Sequence, residues 1–325
     1  MSGRQYFIVG GAGFIGSHFT DVLLADDEVE AVTVFDNFAS GRHWHFEHHL
    51  GDPRFAVVEG DVRHEGSLHT ALEGHDTLIH LASNPDIAAA VTNPAIDFND
   101  GTLLTHCVAE AVRQQGVETV LYASGSGVYG DIGEFEADED HGPVIPVSTY
   151  AASKLAGEAL LSSYSYMFGF RCIAFRFGNV VGPRQTHGVG FDFIRRLHRE
   201  PDHLLVLGDG QQSKSYVHVD DVIRGVLHAE SVSHQPYNVY NLATGDYITV
   251  TEIANLAIEC LGFDSGAVRV EYTGGDRGWK GDVPVVRLSS DRLAATGWRC
   301  ERSSAEALRA AMESMIEDDA RGRFD

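Results

Sequence analysis

The feature that most constrains this chain is a glycine-rich segment near its start. Residues 6–16 read YFIVGGAGFIG, so an apolar run of strand character breaks into glycines and then resumes as a helix-like apolar pattern. Gly10 or Gly11 permits a tight turn at this point, and Gly13 lets the backbone approach a pyrophosphate. Gly16 lets the following helix pack closely on the strand, and the free N–H groups at the helix start face the phosphates. The segment predicts the opening of a dinucleotide-binding βαβ unit.

An acidic residue follows the second predicted strand. Residues 31–35 read AVTVF and end in Asp36, at about the 20-residue offset expected of a ribose-binding acid. A carboxylate here accepts hydrogen bonds from both adenosine ribose hydroxyls and repels a 2′-phosphate. Arg42 lies close by and could receive such a phosphate, but Asp36 comes first at the strand end. We therefore expect NAD rather than NADP as the cofactor.

Strands and helices alternate through the first half of the chain. The further predicted elements are strands at 54–58, 77–81, 117–123 and 171–177 and helices at 67–72, 94–115 and 149–168. Repeated βα units of this kind specify a parallel, doubly wound sheet. We expect an α/β protein with a Rossmann-type NAD-binding domain over residues 1–180. Glycines then divide the chain into shorter elements, so residues 181–325 are expected to form mainly a smaller C-terminal substrate lobe, with a return to the sheet at about 215–245.

The composition excludes several classes of partner. Lys and Arg total 24 against 47 Asp and Glu, a net charge of −23, which argues against a nucleic-acid or anionic membrane surface. No apolar run approaches the roughly 20 residues of a membrane helix. The first strand follows Met1-Ser2-Gly3-Arg4-Gln5 directly, which leaves no room for a signal peptide, so we expect residence in the cytoplasm. The four cysteines are far apart in sequence and are expected to be reduced thiols.

The predicted helix 149–168 carries a tyrosine and a lysine four residues apart, Tyr150 and Lys154. At this spacing the phenol and the ammonium share one helix face. The cation stabilises a phenolate, so Tyr150 can act as a base near neutral pH, and Lys154 can also reach a nicotinamide ribose. The pair alone is common by chance. It becomes specific because it follows a series of βα units that opens with a dinucleotide fingerprint.

Taken together, these motifs resemble those of the extended short-chain dehydrogenase/reductases, in the NAD-dependent nucleotide-sugar epimerase/dehydratase family, and are most similar to UDP-glucose 4-epimerases. The resemblance covers nearly the whole chain. It is carried by residues 10–16, 36–37, 60–62, 80–82, 128–130, 150–154, 178–183, 208–220 and 277–282.

The resemblance implies a set of site residues. Those implied for the cofactor are Gly10, Gly13, Phe14, Ile15, Gly16, Asp36, Asn37, Asp61, Val62, Leu81, Ala82, Asn99, Tyr150, Lys154 and Phe177. Asp61 and Val62 would hold the adenine, and Leu81 and Ala82 would line the cofactor channel. Asn179, Lys214, Arg277 and Asp282 would face the diphosphate of a nucleotide sugar, most simply a UDP-sugar.

One departure from the family pattern falls at the reacting centre. The family places Ser or Thr three residues before the Val of Val-Tyr-Gly, where this chain has Gly125. We expect Ser126 to supply the missing hydroxyl to the substrate, with Ser124 as second choice; the alternative is that a water or Tyr150 alone makes the contact. The two glycines that flank Ser126 leave the geometry of the turn open.

The same segment separates reactions within the family. Dehydratases of this family carry an Asp-Glu pair after the Thr, and uronate decarboxylases usually carry a Glu there, whereas this chain has Ser126-Gly127. The resemblance therefore favours a 4-epimerase that works through a transient 4-keto sugar, with Tyr150 as the base and NAD as the hydride acceptor. A uronate decarboxylase, a 2-epimerase, a 4-ketoreductase and an NAD-binding sensor with impaired catalysis remain as alternatives. A homodimer built from helices 103–112 and 149–168 is also implied by the resemblance.

A histidine-rich segment invites a metal-binding interpretation. Residues 43–49 read HWHFEHH, and His45 and His49 are four residues apart, but the His-Glu-x-x-His order is missing. We expect an exposed helix near the adenosine end of the cofactor and no metal site.

Overall fold

The predicted alternation of strands and helices is present in the structure, a computed structural model that describes residues 3–264 and 266–323. The strands, in chain order, are β1 (Arg4–Val9), β2 (Val29–Asp36), β3 (Phe55–Glu59), β4 (Thr77–His80), β5 (Thr119–Gly125), β6 (Glu136–Ala137), β7 (Arg171–Phe177), β8 (Asn179–Val181), β9 (His203–Val206), β10 (Ser213–Lys214), β11 (Tyr216–His218), β12 (Tyr237–Leu242), β13 (Ile248–Thr249), β14 (Arg269–Tyr272) and β15 (Arg287–Leu288). The helices are α1 (Phe14–Leu24), α2 (Glu65–Leu72), α3 (Ala95–Asp97), α4 (Leu104–Gln115), α5 (Thr149–Phe168), α6 (Val189–Arg199), α7 (Val219–Val232), α8 (Val250–Cys260), α9 (Asp291–Ala294) and α10 (Ser304–Ala320). Among these described residues, no helix combines the length and apolar character that a bilayer span requires.

The central sheet has seven strands in the order β12-β7-β5-β4-β1-β2-β3. β1 pairs in parallel with β2 on one side and with β4 on the other, so that Phe7 lies opposite Thr33 and Leu78. The strand order therefore reverses beside β1, and open α/β sheets bind their ligands at the carboxyl ends of the strands at such a reversal. This arrangement confirms the predicted Rossmann-type fold.

Burial on both faces explains why β1 is a continuous apolar run. Phe7, Ile8 and Val9 are each 0% exposed, as expected for a central strand covered by helices on either side. Phe7 and Val9 pack in a core with side chains of α2 and α4, among them Leu68 and Val108. The core therefore fixes the strand whose last residue leads into the glycine turn.

Contacts divide the chain into two compact units. The first contains Met1–Val128, Ser148–Arg176 and Val226–Tyr240, and the second contains Tyr129–Val147, Phe177–Gly225 and Asn241–Asp325. Residues 129–147 thus group with the C-terminal part of the chain, although they lie inside the predicted domain 1–180, and the returning stretch is shorter than the predicted 215–245. A cofactor domain and a substrate lobe, as functional units, stay a prediction.

The second unit has its own hydrophobic core. α6, α8 and α10 contribute buried side chains such as Ile194, Ile253 and Met312, which are all fully buried. Four short two-stranded sheets accompany these helices and pair β10 with β13, β11 with β8, β14 with β9 and β15 with β6. The second unit therefore has a core of its own, built mainly from helices.

Helix α5 has the bounds that the sequence predicts. The Ser148 hydroxyl accepts a hydrogen bond from Ala151 N at 3.2 Å and caps the first turn, and Gly169 ends the helix in a left-handed conformation with φ of 88°. Tyr150 and Lys154 therefore lie in the first two turns of a well-capped helix.

The prediction of one helix over residues 94–115 is wrong in its interior. A π-helical turn, Phe98–Leu103, separates α3 from α4. Asn99, Asp100 and Gly101 are weak helix formers, and Gly101 approaches α5 so closely that a Cβ at this position would overlap the Ser153 hydroxyl. The tight approach of two helices and the local sequence together favour the wider turn.

The exposed helix expected at residues 43–49 is also wrong. The segment forms two short 3₁₀ turns, His43–His45 and Glu47–His49. His45 is buried, and its Nδ1 lies 2.8 Å from the carbonyl oxygen of Ala12 in the glycine loop. The histidine-rich segment is thereby tied to the loop that the sequence assigns to the pyrophosphate.

Candidate active site

The turn between β1 and α1 has positions that admit only glycine. Gly10 adopts φ of +79°, and a Cβ there would lie 2.7 Å from the backbone nitrogen of Ala82. At Gly16 a Cβ would lie 2.5 Å from the Cα of Gly11, so helix and turn touch backbone to backbone. The glycine pattern therefore serves the close packing that the fingerprint requires.

The N-terminus of α1 is open. Gly13 is the N-cap and provides no side-chain hydrogen bond, and the first turn, which lies wholly within the described residues, holds no acidic side chain. Phe14 and Ile15, the first two residues of the helix, are partly exposed. A helix start of this kind presents unpaired N–H groups and the positive end of the helix dipole, which suits a pyrophosphate.

Asp36, at the end of β2, is hydrogen-bonded to this loop. Its Oδ2 accepts a hydrogen bond from Ala12 N at 3.0 Å and its Oδ1 accepts one from Phe38 N at 2.8 Å. Burial raises the pKa of this carboxyl above its usual value, and the backbone N–H groups oppose that shift. A carboxylate offers about four lone-pair sites, so two ribose hydroxyls can still be accepted. Asn37, by contrast, is exposed.

The guanidinium of Arg42 is bound to its own loop. Its Nη1 donates to the carbonyl oxygens of Ser40 and Gly41 at 3.0 and 3.2 Å, while its backbone N–H donates to Ala12 O. Arg42 thus makes its hydrogen bonds within this loop, and the assignment of Asp36 to the ribose stays a prediction, in line with the expected preference for NAD.

One of the two residues expected around the adenine, Asp61, belongs to an ion-pair cluster. The Asp61 carboxylate binds Arg63 at 2.6 Å, and Arg63 also binds Asp100 at 2.9 Å. The arginine lowers the pKa of Asp61, chiefly through the side-chain hydrogen bond, so this carboxyl is ionised at neutral pH. Val62 is buried in the core beside it. Arg63 was not among the predicted site residues.

The other residues expected to contact the cofactor lie in different surroundings. Leu81 and Ala82 follow β4, are half-buried, and both donate their backbone N–H to Val9 O. Phe177 is buried at the end of β7. Asn99 is exposed on the π-helical turn. Leu81 and Ala82 thus adjoin the strand that leads into the glycine turn, whereas Asn99 faces solvent.

Tyr150 and Lys154 are close together on α5. The Lys154 ammonium lies 5.6 Å from the centre of the Tyr150 ring and donates to the carbonyl oxygen of Ala123, at the end of β5, at 2.8 Å. Lys154 is 4% exposed while Tyr150 is half-buried. The nearby His80 is neutral, because burial, followed by the charge of Lys154, lowers its pKa to about 3. The cation is therefore held beside a phenol that ligands can reach.

Ser124 and Ser126 differ in their bonding. The Ser124 hydroxyl donates to Glu158 Oε1 at 2.5 Å, and Glu158 also accepts from Arg176 Nη2 at 2.8 Å. This trio is almost fully buried. Ser126, in contrast, is half-buried at the start of a 3₁₀ turn, and within the described residues its hydroxyl has no hydrogen-bond partner. Ser126 is thus the serine whose hydroxyl is available to a ligand.

Gly125 leaves open space where the family pattern has a hydroxyl. A Cβ at this position would meet no described atom within 4 Å, and its φ is not positive. The missing side chain is therefore not required by packing or by backbone conformation.

The residues expected to face the diphosphate converge within the second unit. Lys214 Nζ lies 2.7 Å from Asp282 Oδ1, and Arg277 donates to the carbonyl oxygen of Asp282 at 2.8 Å. Asn179 donates to Ser215 O, next to Lys214 in the chain. The second guanidinium nitrogen of Arg277 lies 2.6 Å from Asp131 Oδ2. Two cations are thus gathered here, each paired with a carboxylate.

A family comparison agrees with this geometry. The model of the NAD dependent epimerase/dehydratase family matches residues 6–243, about three quarters of the chain, from the glycine loop to the last strand of the sheet. The chain belongs to this family of NAD-dependent nucleotide-sugar epimerases and dehydratases.

Relatives of both reaction types are similar to this family member. A UDP-glucose 4-epimerase of Mycolicibacterium smegmatis is 33% identical over 94% of this chain and 96% of the relative. The Thermus thermophilus UDP-glucose 4-epimerase, solved in complex with NAD, is 31% identical with a TM-score of 0.84, covering 96% of this chain and 98% of that one. A Streptomyces venezuelae dTDP-glucose 4,6-dehydratase, also solved with NAD, is 27% identical with a TM-score of 0.89, covering 98% of both chains. The cofactor is NAD, and the fold alone does not separate the two reactions.

The residues of this epimerase/dehydratase chain fit NAD. A Cβ would block the turn at Gly10, the start of α1 is uncapped, and Asp36 keeps acceptor capacity for a ribose. Sequence reasoning missed Glu158 and Asp131, which neutralise Arg176 and Arg277. Glu158 follows Lys154 by one helical turn, a spacing that could have placed it on the same face. No local pattern indicates Asp131.

Replacing Glu158 by Gln should destabilise the protein strongly. Arg176 would lose the carboxylate that it pairs with at 2.8 Å while staying buried, and removal of one partner of such a pair costs about 3–5 kcal/mol. Urea unfolding monitored by circular dichroism measures the change. The control is Glu317→Gln, which removes the carboxylate of an exposed pair with Arg321 and should cost less than about 1 kcal/mol. Equal effects of the two changes would show that the buried pair does not hold α5 in place.

Proposed function

We propose that the protein is an NAD-dependent 4-epimerase of nucleotide sugars that acts on a UDP-hexose or UDP-hexuronate through a transient 4-keto intermediate. One observation carries the proposal: Tyr150 and Lys154 stand together beside β5, while Ser126 and Gly127 offer no carboxylate where family dehydratases have an acid and a base. The relative from Mycolicibacterium smegmatis, a UDP-glucose 4-epimerase, supports this choice.

The proposed mechanism begins with proton transfer. NAD, which the glycine turn and Asp36 would hold, would supply a reversible hydride acceptor for sugar carbon 4. Tyr150 takes the proton of the C4 hydroxyl as general base, and Lys154 stabilises the phenolate from its buried position. Ser126 donates a hydrogen bond to the C4 oxygen. After the 4-keto sugar has turned over, Tyr150 returns the proton to the C4 oxygen of the epimer, so no external redox partner is consumed.

Ser124 has a positioning role in this scheme. Its hydroxyl is occupied by Glu158, so it fixes the end of β5 against α5 instead of meeting the sugar. Lys214 and Arg277 are assigned to the diphosphate together with Asn179 and Asp282, and Asp282 also accepts hydrogen bonds from both cations. Lys214 provides a point charge where the family usually has the bidentate fork of an arginine.

A second candidate is an NAD-binding sensor with impaired catalysis. The observation that favours it is Gly125, which removes a hydroxyl from the reacting centre. The Tyr150–Lys154 pair opposes it, since a sensor needs no paired phenol and ammonium. The decarboxylase, 2-epimerase and 4-ketoreductase alternatives use the same cofactor loop and differ in product.

Proton NMR of the purified protein with NAD and a panel of UDP-sugars tests the proposal. The panel contains UDP-glucose, UDP-N-acetylglucosamine and UDP-glucuronate. A new anomeric signal from the C4 epimer supports the epimerase and identifies the sugar. New C5 methylene proton signals of a UDP-pentose formed from UDP-glucuronate would indicate the decarboxylase. The absence of any change would contradict the assignment to these UDP-sugars and favour the sensor.

The proposal also includes a homodimer formed through α4 and α5 and residence in the cytoplasm. The side chains of Tyr166 and Met167 on α5 are 68% and 72% exposed. This apolar surface supports a contact between α5 and a second copy of the chain.

Replacement of Tyr150 by Phe should lower turnover by about 10²- to 10⁴-fold, because the general base is lost. NAD binding, followed by calorimetry, should persist, since the ring and Lys154 remain. Tyr166→Phe removes the hydroxyl of an exposed tyrosine of the same helix but keeps the apolar ring proposed for the dimer contact, so turnover should be unchanged. Unchanged turnover in Tyr150→Phe would refute the catalytic role.

Replacement of Ser126 by Ala should lower turnover at least tenfold, which corresponds to about 1.4 kcal/mol of lost transition-state stabilisation. Gly125→Ser should fold normally because the position is open, and combined with Ser126→Ala it should restore turnover. Steady-state kinetics measures both, with the exposed Ser163→Ala as the control. A silent Ser126→Ala variant would show that a water or Tyr150 alone makes the contact.

Replacement of Asp131 by Asn should tighten the binding of UDP about two- to fivefold, since the competing ion pair is partly exposed and such pairs are worth up to about 1 kcal/mol. Titration calorimetry measures the dissociation constant. Glu134→Gln removes the same charge from the same loop and should have less effect. Weaker binding in Asp131→Asn would mean that the carboxylate orients Arg277 for the ligand.

A further inference from the structure

Three metal-ligating side chains outside the candidate active site converge on the surface of the first unit. His48 Nε2 and His49 Nε2 lie 2.9 and 2.7 Å from the same oxygen, Oδ1 of Asp21. The two imidazole rings are 4.0 Å apart. One potential ligand atom of each residue lies within 4.8 Å of the other two.

These residues come from two different elements. Asp21 is on α1, and the histidines are on the second 3₁₀ turn, 27 and 28 residues later in the chain. In the sequence, His45 and His49 have the spacing that suggests a shared helix face. In the structure, however, His45 contacts the carbonyl oxygen of Ala12 and is not part of the cluster. The cluster therefore exists only because the fold brings the turn against the helix.

We propose that Asp21, His48 and His49 form a binding site for a divalent first-row transition metal ion, with Zn²⁺ as the preferred occupant. Two imidazole nitrogens and one carboxylate oxygen are a common zinc donor set, and water can complete a tetrahedron. Bonds of about 2.0–2.2 Å place neighbouring ligands about 3.3 Å apart in that geometry. The separations of 2.7 and 2.9 Å thus need only a small outward movement of the side chains.

The three side chains are exposed enough for a metal ion to enter the site and for the side chains to move apart slightly. The side chains of His48, Asp21 and His49 are 52%, 27% and 17% exposed, so a hydrated ion can reach them without opening the fold. The set contains no thiolate or thioether, which disfavours Cu⁺, and its two imidazoles disfavour Mg²⁺ and Ca²⁺.

A bound ion would join α1 to the loop after β2. The same loop donates hydrogen bonds from Phe38 N to Asp36 and from Arg42 N to Ala12 O. The metal would therefore stabilise the part of the cofactor loop that is hydrogen-bonded to Asp36. A ligand that binds only the folded state raises the unfolding temperature in a concentration-dependent way.

Equilibrium dialysis of the metal-free full-length protein against Zn²⁺ tests the proposal. The protein has 17 histidines, so the measured quantity is the difference between variants. The double variant His48→Ala/His49→Ala should bind one equivalent less than the native protein, and Asp21→Asn should bind at least about tenfold more weakly, as loss of a direct ligand exceeds the effect of an outer-shell change. His234→Ala, an exposed histidine on another loop, should bind as the native protein does.

Two further readouts complete the test. Zn²⁺ should raise the unfolding temperature of the native protein and of His234→Ala, but not of the double variant. Co²⁺ should give the visible absorption of a tetrahedral site only when all three ligands are present. Equal zinc stoichiometry in the native protein and the double variant would overturn the proposal. Each measurement is independent of turnover, so its failure leaves the proposed epimerase function untouched.

Discussion

The position of α5 on the sheet depends on a buried ion pair. Glu158 on α5 binds Arg176 on β7 and accepts a hydrogen bond from Ser124 on β5, so one carboxylate joins two neighbouring strands to the helix. Such a pair is costly to desolvate, and the attraction offsets that cost only when both partners keep their hydrogen-bond geometry. The pair therefore favours one register of the helix against the sheet. Everything that Tyr150 is proposed to do requires this register.

The cofactor loop is held in place mainly by contacts and hydrogen bonds of its backbone. Gly10 and Gly16 are needed because neighbouring backbone atoms occupy the space of a Cβ. Asp36 is held by N–H groups of the loop it serves, so the ribose carboxylate and the phosphate turn are one hydrogen-bonded unit. The two parts of the site are therefore stabilised in different ways. The turn proposed for the phosphates depends on close packing of backbone atoms, whereas the helix that carries the proposed base is joined to the sheet by a buried ion pair.

Local patterns predicted what is encoded locally. The glycine turn, the ends of α5 and the buried strands follow from spacing, capping and apolar runs, and the structure agrees with them. The π-helical turn escaped prediction because it responds to the approach of Gly101 to Ser153 on another helix. Asp131 and Asp21 also escaped, since their partners lie 146 and 27 residues away and no periodicity connects them. The placement of Ser124 could be settled only by its contact with Glu158.

The pairing of Lys214 with Asp282 and of Arg277 with Asp131 has a kinetic consequence. An unliganded site whose cations are already neutralised projects little positive field, while the whole chain carries a net charge of −23. Long-range steering would then oppose the arrival of any polyanionic ligand, and mobile salt ions would relieve that opposition. Association would quicken as ionic strength rises, the reverse of an electrostatically guided encounter, and recognition would begin only at contact, when the ligand displaces the Asp131 carboxylate from Arg277.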